Sequence, residues 1–536
     1  MFFTFLSRYR VLLTLVIASL ISAIPLLKEG FPIGHDLQLE LVRLVEYKEA
    51  LLSHGIPRMA SDLYMGYGSP IFVFYAPLFL FLTTLVSFLQ VDLITAVKIV
   101  VVMLGLGGAY GFYQFLKAFI SKEFALIGAL FLMFTPYKFV DLFSRNSFAE
   151  YSAFMLFPVV LWGLVRVIKH PGIKSYCMLF IFLLFFLLSH NITVMLGLPC
   201  LLVLGLLFFR NEYGTFKDRR LFEIALCVLC SFGTAMFFLL PAVFDGAYVR
   251  IGDLTLGKFV YERNFLELKN LLFDSKALIY ISPIVLLLPI ANIFTAVKEK
   301  AAYISNPSGL TAFVFSTISF CMMFPVSHVV WDMFPILHLV QFPWRLMLFF
   351  SVFALWNTTY IVEVFFKKYK KYASILMYGS ICILAASHLL HYQHWDYYSE
   401  PISTPEQILR EDKRTTVGDE YLNIHAEGSP TSVSTKDKDL KNAQTLTYQR
   451  CLTDTSMDSK VTFPLYYFPY WKAYVENVKV DIDTSRPFIT VPLSKPGCVE
   501  LRLEFTQYQR IGFLLSVISM TTFCLWIFYL SRKKYS

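Results

Sequence analysis

The chain has 536 residues, of which 57% are hydrophobic and 16% are charged, and its formal net charge is +9. Soluble domains have roughly 45–50% apolar and about 25% charged residues, so this composition excludes an ordinary soluble domain. The positive charge lies in short loops between apolar runs and gives no argument for nucleic-acid binding. The sequence has no phosphate-binding Walker loop, no dinucleotide fingerprint and no Cys/His spacing typical of zinc sites.

Apolar runs long enough to cross ~30 Å of hydrocarbon as helices of about 20 residues recur along the chain. Seven short basic loops separate them, from Arg8 and Arg10 at the start to Arg532 near the end. Because Lys and Arg concentrate in cytoplasmic loops, each interval between basic loops should hold two spans, with both termini in the cytoplasm. The sequence therefore predicts twelve transmembrane helices. These are 11–27, 93–116, 123–138, 151–167, 175–188, 192–209, 221–241, 277–297, 309–325, 346–366, 372–390 and 511–530.

One further apolar run, 70–90, does not fit this alternation of charge. Counting it as a span would move every later basic loop to the other side of the membrane. Pro70 and Pro77 also lie at its start and early interior, where proline interrupts a regular helix. We interpret 70–90 as a juxtamembrane helix within a first outer loop, 28–92; a thirteenth span is the alternative.

The predicted outer side ends in a long polar segment, 391–510, with strand-like alternation of apolar residues. We expect it to form an extracytoplasmic β-sandwich-like domain, preceded by a transmembrane domain at 1–390 and followed by a final helix and basic tail at 511–536. Its two cysteines, Cys451 and Cys498, could pair if this face is periplasmic. The predicted strands are Ser459–Pro464, Trp471–Ile482, Phe488–Leu493 and Cys498–Phe505.

The first outer loop contains His35 and Asp36, only a short way beyond the first predicted span. A carboxylate at this position could take a proton from a sugar hydroxyl and act as a general base. Asp is also a preferred N-cap, so Asp36 could instead cap the helix that follows. The spacing alone does not separate the two interpretations.

Two further outer connections carry polar residues close to helix starts. Glu150 begins a span, and ionisable residues at that depth are candidate functional residues, with Arg145 as its natural partner. The alternative is a purely structural Arg145–Glu150 pair, or a carboxylate favoured by the positive end of the helix. His190 and Asn191 lie in the connection between two other spans, where a polar turn is as good an explanation as a substrate contact.

The fourth outer loop ends in Gln341-Phe342-Pro343-Trp344-Arg345. Arg345 at the mouth of a span could bind a phosphate through two parallel hydrogen bonds. It could also extend its charged end towards lipid headgroups without a specific ligand. Trp344 suits the membrane interface in either case.

Several of these motifs occur in the order typical of one bacterial family. The Gly34-His35-Asp36 loop, the 144–150 segment (Ser-Arg-Asn-Ser-Phe-Ala-Glu), the 341–345 segment and the 467–476 segment resemble the membrane 6-pyruvoyl-tetrahydropterin synthase-related domain family, which is similar to YfhO-type proteins. The resemblance covers most of the chain. The sequence lacks the His-rich zinc constellation that a pterin synthase would need, so the family name does not predict that activity.

The layout also resembles the GT-C glycosyltransferases, and this second resemblance carries the functional expectation. It implies an all-α polytopic, GT-C-like transmembrane fold with Asp36 and Glu150 as catalytic residues. His35, Arg145, His190, Asn191 and Arg345 are then expected to bind substrate. The sugar would come from a polyprenyl-phosphate donor and pass, with inversion, to an envelope glycan or lipid at the outer face of the bacterial inner membrane.

Two points stay open at this level. GT-C first loops often carry two adjacent acids, whereas Asp36 is flanked by His35 and Leu37. No residue is therefore assigned as a metal ligand, although a divalent cation is possible. The competing hypothesis is a lipid or glycan transporter, or an envelope-assembly protein without chemistry of its own.

Overall fold

A computed structural model describes residues 2–61, 63–267, 307–365, 370–392, 396–398, 421–425, 441–442, 447–452 and 460–533. The predicted span 277–297 lies outside these residues. The α-helices, numbered in chain order, are α1 Phe2–Ser22, α2 Leu37–His54, α3 Ile71–Phe74, α4 Leu78–Ser87, α5 Leu93–Leu116, α6 Lys122–Met133, α7 Pro136–Phe139, α8 Phe148–Lys169, α9 Ile173–Leu187, α10 Asn191–Tyr213, α11 Arg219–Thr234, α12 Met236–Phe244, α13 Pro307–Cys321, α14 His328–Met333, α15 Met347–Phe365, α16 Lys370–Tyr392 and α17 Gln507–Lys533.

The protein is mostly helical and has the long apolar helices of a membrane protein. Within the described part of the chain, six helices are long and apolar enough to cross a bilayer. Two bent pairs, broken by 63° after Thr234 and by 98° after Cys321, would raise the number to eight if each is one span. The shorter apolar helices Tyr9–Ser22, Ile173–Leu187 and Ser374–Leu390 lie on three further predicted spans. The count of twelve stays a prediction.

The run 70–90 forms two short helices, α3 and α4, instead of one juxtamembrane helix. Pro70 and Pro77 occupy their N-cap positions, consistent with proline starting a helix and interrupting one. The ten residues of α4 extend about 15 Å, roughly half the hydrocarbon thickness. The α4 helix packs against α2, α5 and α8, and the Leu78 amide donates a hydrogen bond to the Leu188 carbonyl.

The C-terminal segment contains a small antiparallel β region. Its five-stranded sheet has the order β3-β4-β9-β6-β7, and β5 pairs with β8 in a separate two-stranded sheet. The two sheets share one apolar core, in which Phe463 and Ile489 of the small sheet and Trp471 and Leu501 of the large sheet are buried. The strands are β1 Phe31–Pro32, β2 Tyr397–Tyr398, β3 Lys441–Asn442, β4 Thr447–Leu452, β5 Lys460–Tyr466, β6 Trp471–Val475, β7 Val478–Val480, β8 Phe488–Pro492 and β9 Gly497–Leu503.

The four predicted strands lie close to β5, the β6–β7 segment, β8 and β9, whereas β4, which pairs with β9, is not among the predicted strands. The predicted strand Trp471–Ile482 is a hairpin of β6 and β7. Its turn residues Glu476 and Asn477 have φ of 48° and 64°, a left-handed conformation that asparagine tolerates better than most residues. Cys451 and Cys498 lie opposite each other in β4 and β9 and form a disulfide.

The predicted outer segments converge on one end of the helical bundle, which we call the loop face (residues 28–92, 139–150, 242–267 and 325–345, with the β region). The pair β1–β2 joins Phe31 to Tyr398, and the Tyr466 amide donates to the Tyr67 carbonyl at 2.9 Å. At the opposite end, two of the basic loops are joined by a hydrogen bond from Lys169 Nζ to the Ala118 carbonyl. These two basic loops therefore lie together, as the alternation of charge predicts, and the sidedness of the other loops stays a prediction.

The disulfide can be tested by counting thiols in the purified protein. Because Cys451 and Cys498 are bonded, reduction should expose two thiols more than in the untreated protein. The measurement is the number of mass-tagged maleimides per chain, with and without reductant. A Cys451→Ser/Cys498→Ser variant is the control and should give the same count in both conditions. Equal counts for the wild type before and after reduction would contradict the disulfide.

Candidate active site at the loop face

The chain between α6 and α8 is irregular, and this irregularity positions the candidate site. After α6 and α7, Val140–Ser144 form a π-helical turn, a feature often found at functional sites. Asn146 follows with φ of 57°. Its side-chain Nδ2 atom donates hydrogen bonds to the carbonyls of Leu142 at 2.9 Å and Pro32 at 3.2 Å. The chain thus reverses within a few residues, so that Arg145 faces the first turn of α8.

Two carboxylates and two guanidiniums are buried together at this turn. The Glu150 Oε2 atom accepts a hydrogen bond from Arg145 Nη1 at 2.9 Å, and Arg345 Nε lies 3.4 Å from the same oxygen. Arg145 Nη1 also donates to Asp141 Oδ1 at 2.5 Å, and Tyr137 donates its hydroxyl to Glu150 Oε1. We call Asp141, Arg145, Glu150 and Arg345 the charge cluster; their charges balance, which is what buried ionised groups require.

Arg345 lies just before α15, almost 200 residues after Glu150 in the chain, and it completes the charge cluster. Its Nη1 atom donates to the Val340 carbonyl at 2.9 Å and to Gln341 Oε1 at 3.0 Å. Its Nε atom is buried without a hydrogen-bond partner, and no described residue accepts a hydrogen bond from its Nη2 atom. Trp344 lies under the guanidinium of Arg145, with Cζ 4.8 Å from the ring centroid. Arg345 therefore keeps donors available, whereas Arg145 is held by two carboxylates.

Asp36 lies beside the charge cluster because the first outer loop is hydrogen-bonded to the second. The His35 amide donates to the Ser144 carbonyl at 3.0 Å, and the Asp36 amide donates to the Arg145 carbonyl at 2.9 Å. Gly34 permits this approach: a Cβ there would lie 2.2 Å from Asn146 Oδ1. The first and second loops thus form one continuous backbone arrangement.

The side chain of Asp36 is half-buried and makes no capping hydrogen bond, although Asp36 occupies the N-cap position of α2. Within the described ranges its carboxylate accepts no hydrogen bond, and it lies close enough to Asp141 to interact with it electrostatically. The His35 imidazole is exposed. The carboxylate of Asp36 is therefore available for a ligand.

A second buried ion pair holds α2 in place behind Asp36. Glu40 accepts hydrogen bonds from Arg43 at 2.8 Å and from the Tyr75 hydroxyl at 2.6 Å. Burial raises the pKa of Glu40, while the Arg43 guanidinium opposes that rise. These contacts tie the first turn of α2 to the connection between α3 and α4.

His190 and Asn191 differ in their relation to the charge cluster. His190 Nδ1 accepts a hydrogen bond from the Thr193 amide at 3.4 Å and caps α10. Burial lowers the pKa of His190 to about 4 against the opposing effect of Glu150, so the imidazole is neutral at pH 7. The side-chain Nδ2 atom of Asn191 instead donates a hydrogen bond to the Phe74 carbonyl at 2.7 Å.

The structure thus brings Arg145, Glu150 and Arg345 together, with His190 nearby and His35 and Asp36 on the adjoining loop. Sequence reasoning did not select Tyr137, Asp141 or Gln341 as site residues. Asp141 precedes Arg145 by four residues, a spacing at which helical side chains meet, so this residue had a usable signal. Tyr137 and Gln341 had none.

A separate group of possible metal ligands lies elsewhere on the loop face. Glu262, His328 and Asp332 offer ligand atoms that all lie within 4.8 Å of one another, and all three residues are exposed. His328 Nδ1 lies 2.9 Å from Asp332 Oδ2. None of them belongs to the charge cluster, whose carboxylates are engaged by guanidiniums.

The fold and the site define a polytopic membrane protein with a buried charge cluster at the ends of its spans. The family model of the 6-pyruvoyl-tetrahydropterin synthase related domain, a membrane protein, matches residues 72–392. The chain belongs to this family, as the motif resemblance predicted. Comparison with curated protein sequences gives no match.

Two solved structures that resemble the chain are membrane glycosyltransferases. The arabinofuranosyltransferase AftD from mycobacteria is 12% identical with a TM-score of 0.44, covering 72% of this chain and 27% of AftD. The archaeal oligosaccharyltransferase AglB from Archaeoglobus fulgidus, in complex with an inhibitory peptide and a dolichol-phosphate, is 16% identical with a TM-score of 0.43, covering 80% of this chain and 61% of AglB. The chain thus spans about a quarter of AftD and about three fifths of AglB. Both TM-scores lie below 0.5, so neither likeness establishes the activity.

Replacing Glu150 tests the energetic role of the charge cluster. Glu150→Gln would leave the guanidiniums of Arg145 and Arg345 with one carboxylate in a buried setting, and we expect a loss of about 3–5 kcal/mol of stability. The measurement is unfolding of the purified protein in detergent. The control is Asp483→Asn, which breaks an ion pair to Arg486 whose side chain is 53% exposed. That change should cost less than about 1 kcal/mol. Equal small losses would show that the charge cluster contributes little.

Proposed function

We propose that the protein is an inverting membrane glycosyltransferase that moves a sugar from a polyprenyl-phosphate donor to a cell-envelope acceptor. The observation that carries the proposal is the position of Asp36. Its carboxylate accepts no hydrogen bond in the described structure, and its backbone is fixed to the residue that contributes a guanidinium to the charge cluster. A free base next to buried cations is the combination that transfer from a phosphate leaving group needs.

In the proposed reaction, Asp36 takes the proton of an acceptor hydroxyl. The hydroxyl oxygen then forms a bond to the anomeric carbon of the donor sugar on the face opposite the phosphate. The bond between that carbon and the phosphate oxygen breaks, and the electron pair leaves with the lipid phosphate. A single displacement of this kind inverts the anomeric configuration.

Arg345 is the better candidate for stabilising the departing phosphate. Charge grows on the phosphate oxygens as the bond breaks, and donors aimed at them stabilise the transition state. Arg345 retains unused donors, whereas Arg145 is bound by Asp141 and Glu150. Glu150 is then a positioning residue, because it holds both guanidiniums. His35 and His190 line the same region, and Asn191 orders the adjacent loop.

The donor and acceptor classes follow from location. A transferase acting outside the cytoplasm has no supply of nucleotide sugars or ATP, so a lipid-carried sugar is the suitable donor. AglB, which the chain resembles, was solved with a dolichol-phosphate, a lipid of this class. The β region would position an envelope glycan or lipid acceptor. No metal enters the proposed step.

The membrane arrangement is part of the same proposal. We place both termini in the cytoplasm, twelve spans in the bacterial inner membrane, and the loop face with the β region in the periplasm. The concentration of basic loops at the opposite end supports this orientation. The Cys451–Cys498 disulfide supports it independently, because disulfides persist in oxidising compartments.

Glycosyl transfer by the purified protein tests the activity and its base together. The assay offers radiolabelled polyprenyl-phosphate sugars and an envelope extract to the protein in lipid. We expect the wild type to move label to an acceptor, and Asp36→Asn to reduce the rate by about 10²–10⁴-fold while remaining folded.

The control for this assay is Glu29→Gln, which removes an exposed carboxylate from the same loop and should leave the rate unchanged. An Asp36→Asn variant with the wild-type rate would show that Asp36 is not the base. A folded wild type that transfers none of the sugars would favour the transporter or envelope-assembly alternative.

The role of Arg345 has its own test. We expect Arg345→Gln to lower kcat by about 10²–10³-fold because a donor to the leaving phosphate is lost, and Arg345→Lys to recover part of it. Kinetics are measured together with the melting temperature, to separate catalysis from folding. Arg263→Gln, at an exposed arginine of the loop face, is the control and should leave kcat unchanged. Unchanged kcat in Arg345→Gln would remove Arg345 from the mechanism.

A further inference from the structure

Arg58, in the loop that follows α2, is a partly buried cation with no counter-ion among the described residues. Its Nε and Nη1 atoms are buried without a hydrogen-bond partner, and no described residue forms an ion pair with it. Its close contact is with the ring of Phe505, whose centroid lies 4.4 Å from the guanidinium carbon. The Tyr470 hydroxyl is near enough to interact electrostatically.

This environment is unusual for an arginine. A guanidinium keeps its charge in proteins, and burying a charge without a partner is costly. The Phe505 ring covers one face of the guanidinium, but the N–H groups lie in its plane, and those of Nε and Nη1 stay unsatisfied. Such a planar set of donors matches the oxygens of a carboxylate or a phosphate. The charge cluster, by contrast, contains its own carboxylates.

Arg58 lines a cavity of about 50 Å³ whose other walls are mainly apolar and aromatic. By the same measure one water needs about 10–15 Å³, so the cavity has room for the oxygens of a phosphate but not for a sugar ring. Gln509 also lines the cavity, but its Oε1 already accepts a hydrogen bond from the Thr506 amide. The apolar walls include Tyr47, Phe72, Pro77, Phe238 and Phe513.

The cavity lies where a transmembrane helix begins. Phe513 is in the second turn of the final span, Gln507–Arg532, and is 50% exposed. Within the described residues, only 17% of the apolar window of that span is buried, so much of its surface is not covered by the described part of the chain. The start of a span is the depth at which lipid headgroups are found. A ligand in this cavity would therefore have its polar group at Arg58 and apolar groups along the helix surface.

We propose that Arg58 binds the phosphate of an anionic membrane lipid, whose hydrocarbon chain lies against Phe238 and Phe513. The site shares no residue with the charge cluster and does not depend on the glycosyltransferase proposal. A soluble anion would find the same guanidinium, but it would gain nothing from the apolar walls. A lipid would place its phosphate at Arg58 and its hydrocarbon against the apolar walls.

Lipid-dependent stability tests this site. The protein is delipidated in neutral detergent and melted with phosphatidylglycerol, phosphatidylcholine or inorganic phosphate. We expect phosphatidylglycerol to raise the melting temperature of the wild type and the other two additions to have little effect. Arg58→Gln should abolish the rise and weaken phosphatidylglycerol binding about tenfold by native mass spectrometry. Without lipid, this variant should melt no lower than the wild type, because an unpaired buried charge has been removed.

The matched control is Arg510→Gln, which removes an exposed arginine near the start of the same helix and should keep the lipid response. If Arg58→Gln fails to fold, Arg58→Lys tests the site instead. This variant keeps the charge but lacks the planar donors, so it should bind the lipid several-fold more weakly. Equal stabilisation by inorganic phosphate would overturn the assignment to a lipid. An undiminished lipid response in Arg58→Gln or Arg58→Lys would overturn the site.

Discussion

The pairing of buried opposite charges at the ends of three spans is the constraint on which the rest of the site depends. Ionised side chains removed from water must be compensated, and here Arg145 and Arg345 meet Asp141 and Glu150 in one cluster. Asp141 and Arg145 belong to the turn Val140–Ser144 and the residue after it, Glu150 belongs to α8, and Arg345 lies just before α15. A sliding of any one of these helices along its axis would leave a charge unpaired, so the cluster sets their register at the loop face.

The first outer loop depends on this cluster for its position. The amides of His35 and Asp36 bond to the carbonyls of Ser144 and Arg145, and Gly34 allows the two backbones to approach. The carboxylate of Asp36 is thereby held beside the guanidiniums without being bound by them. A group intended to take a proton benefits from this arrangement, because a direct ion pair would make it a weaker base.

The β region contributes to the loop face through aromatic contacts as well as through its chain connections. The Phe488 ring lies 5.0 Å from Tyr67, and Phe468 packs edge-on against Phe74 at 6.0 Å. Tyr67 and Phe74 belong to the segment that leads from α2 to α4. The β region therefore packs on the segment that also carries Arg58. The Tyr75 hydroxyl of this segment donates a hydrogen bond to Glu40 in the first turn of α2, the helix that Asp36 precedes.

Local patterns in the sequence determined much of the architecture. Apolar runs predicted the long helices and alternation predicted the strands β5 to β9, although not β4, because these features depend on neighbouring residues. Pro70 and Pro77 argued against a regular span at 70–90, but the prediction of one helix there was wrong, because each proline precedes a separate short helix. Only the tertiary structure decided three other features. Arg345 pairs with Glu150, the backbone of Asp36 bonds to the second loop, and Arg58 has no ion-pair partner among the described residues. These depend on pairs of residues far apart in the chain, and neither periodicity nor composition specifies which distant side chains share a buried space.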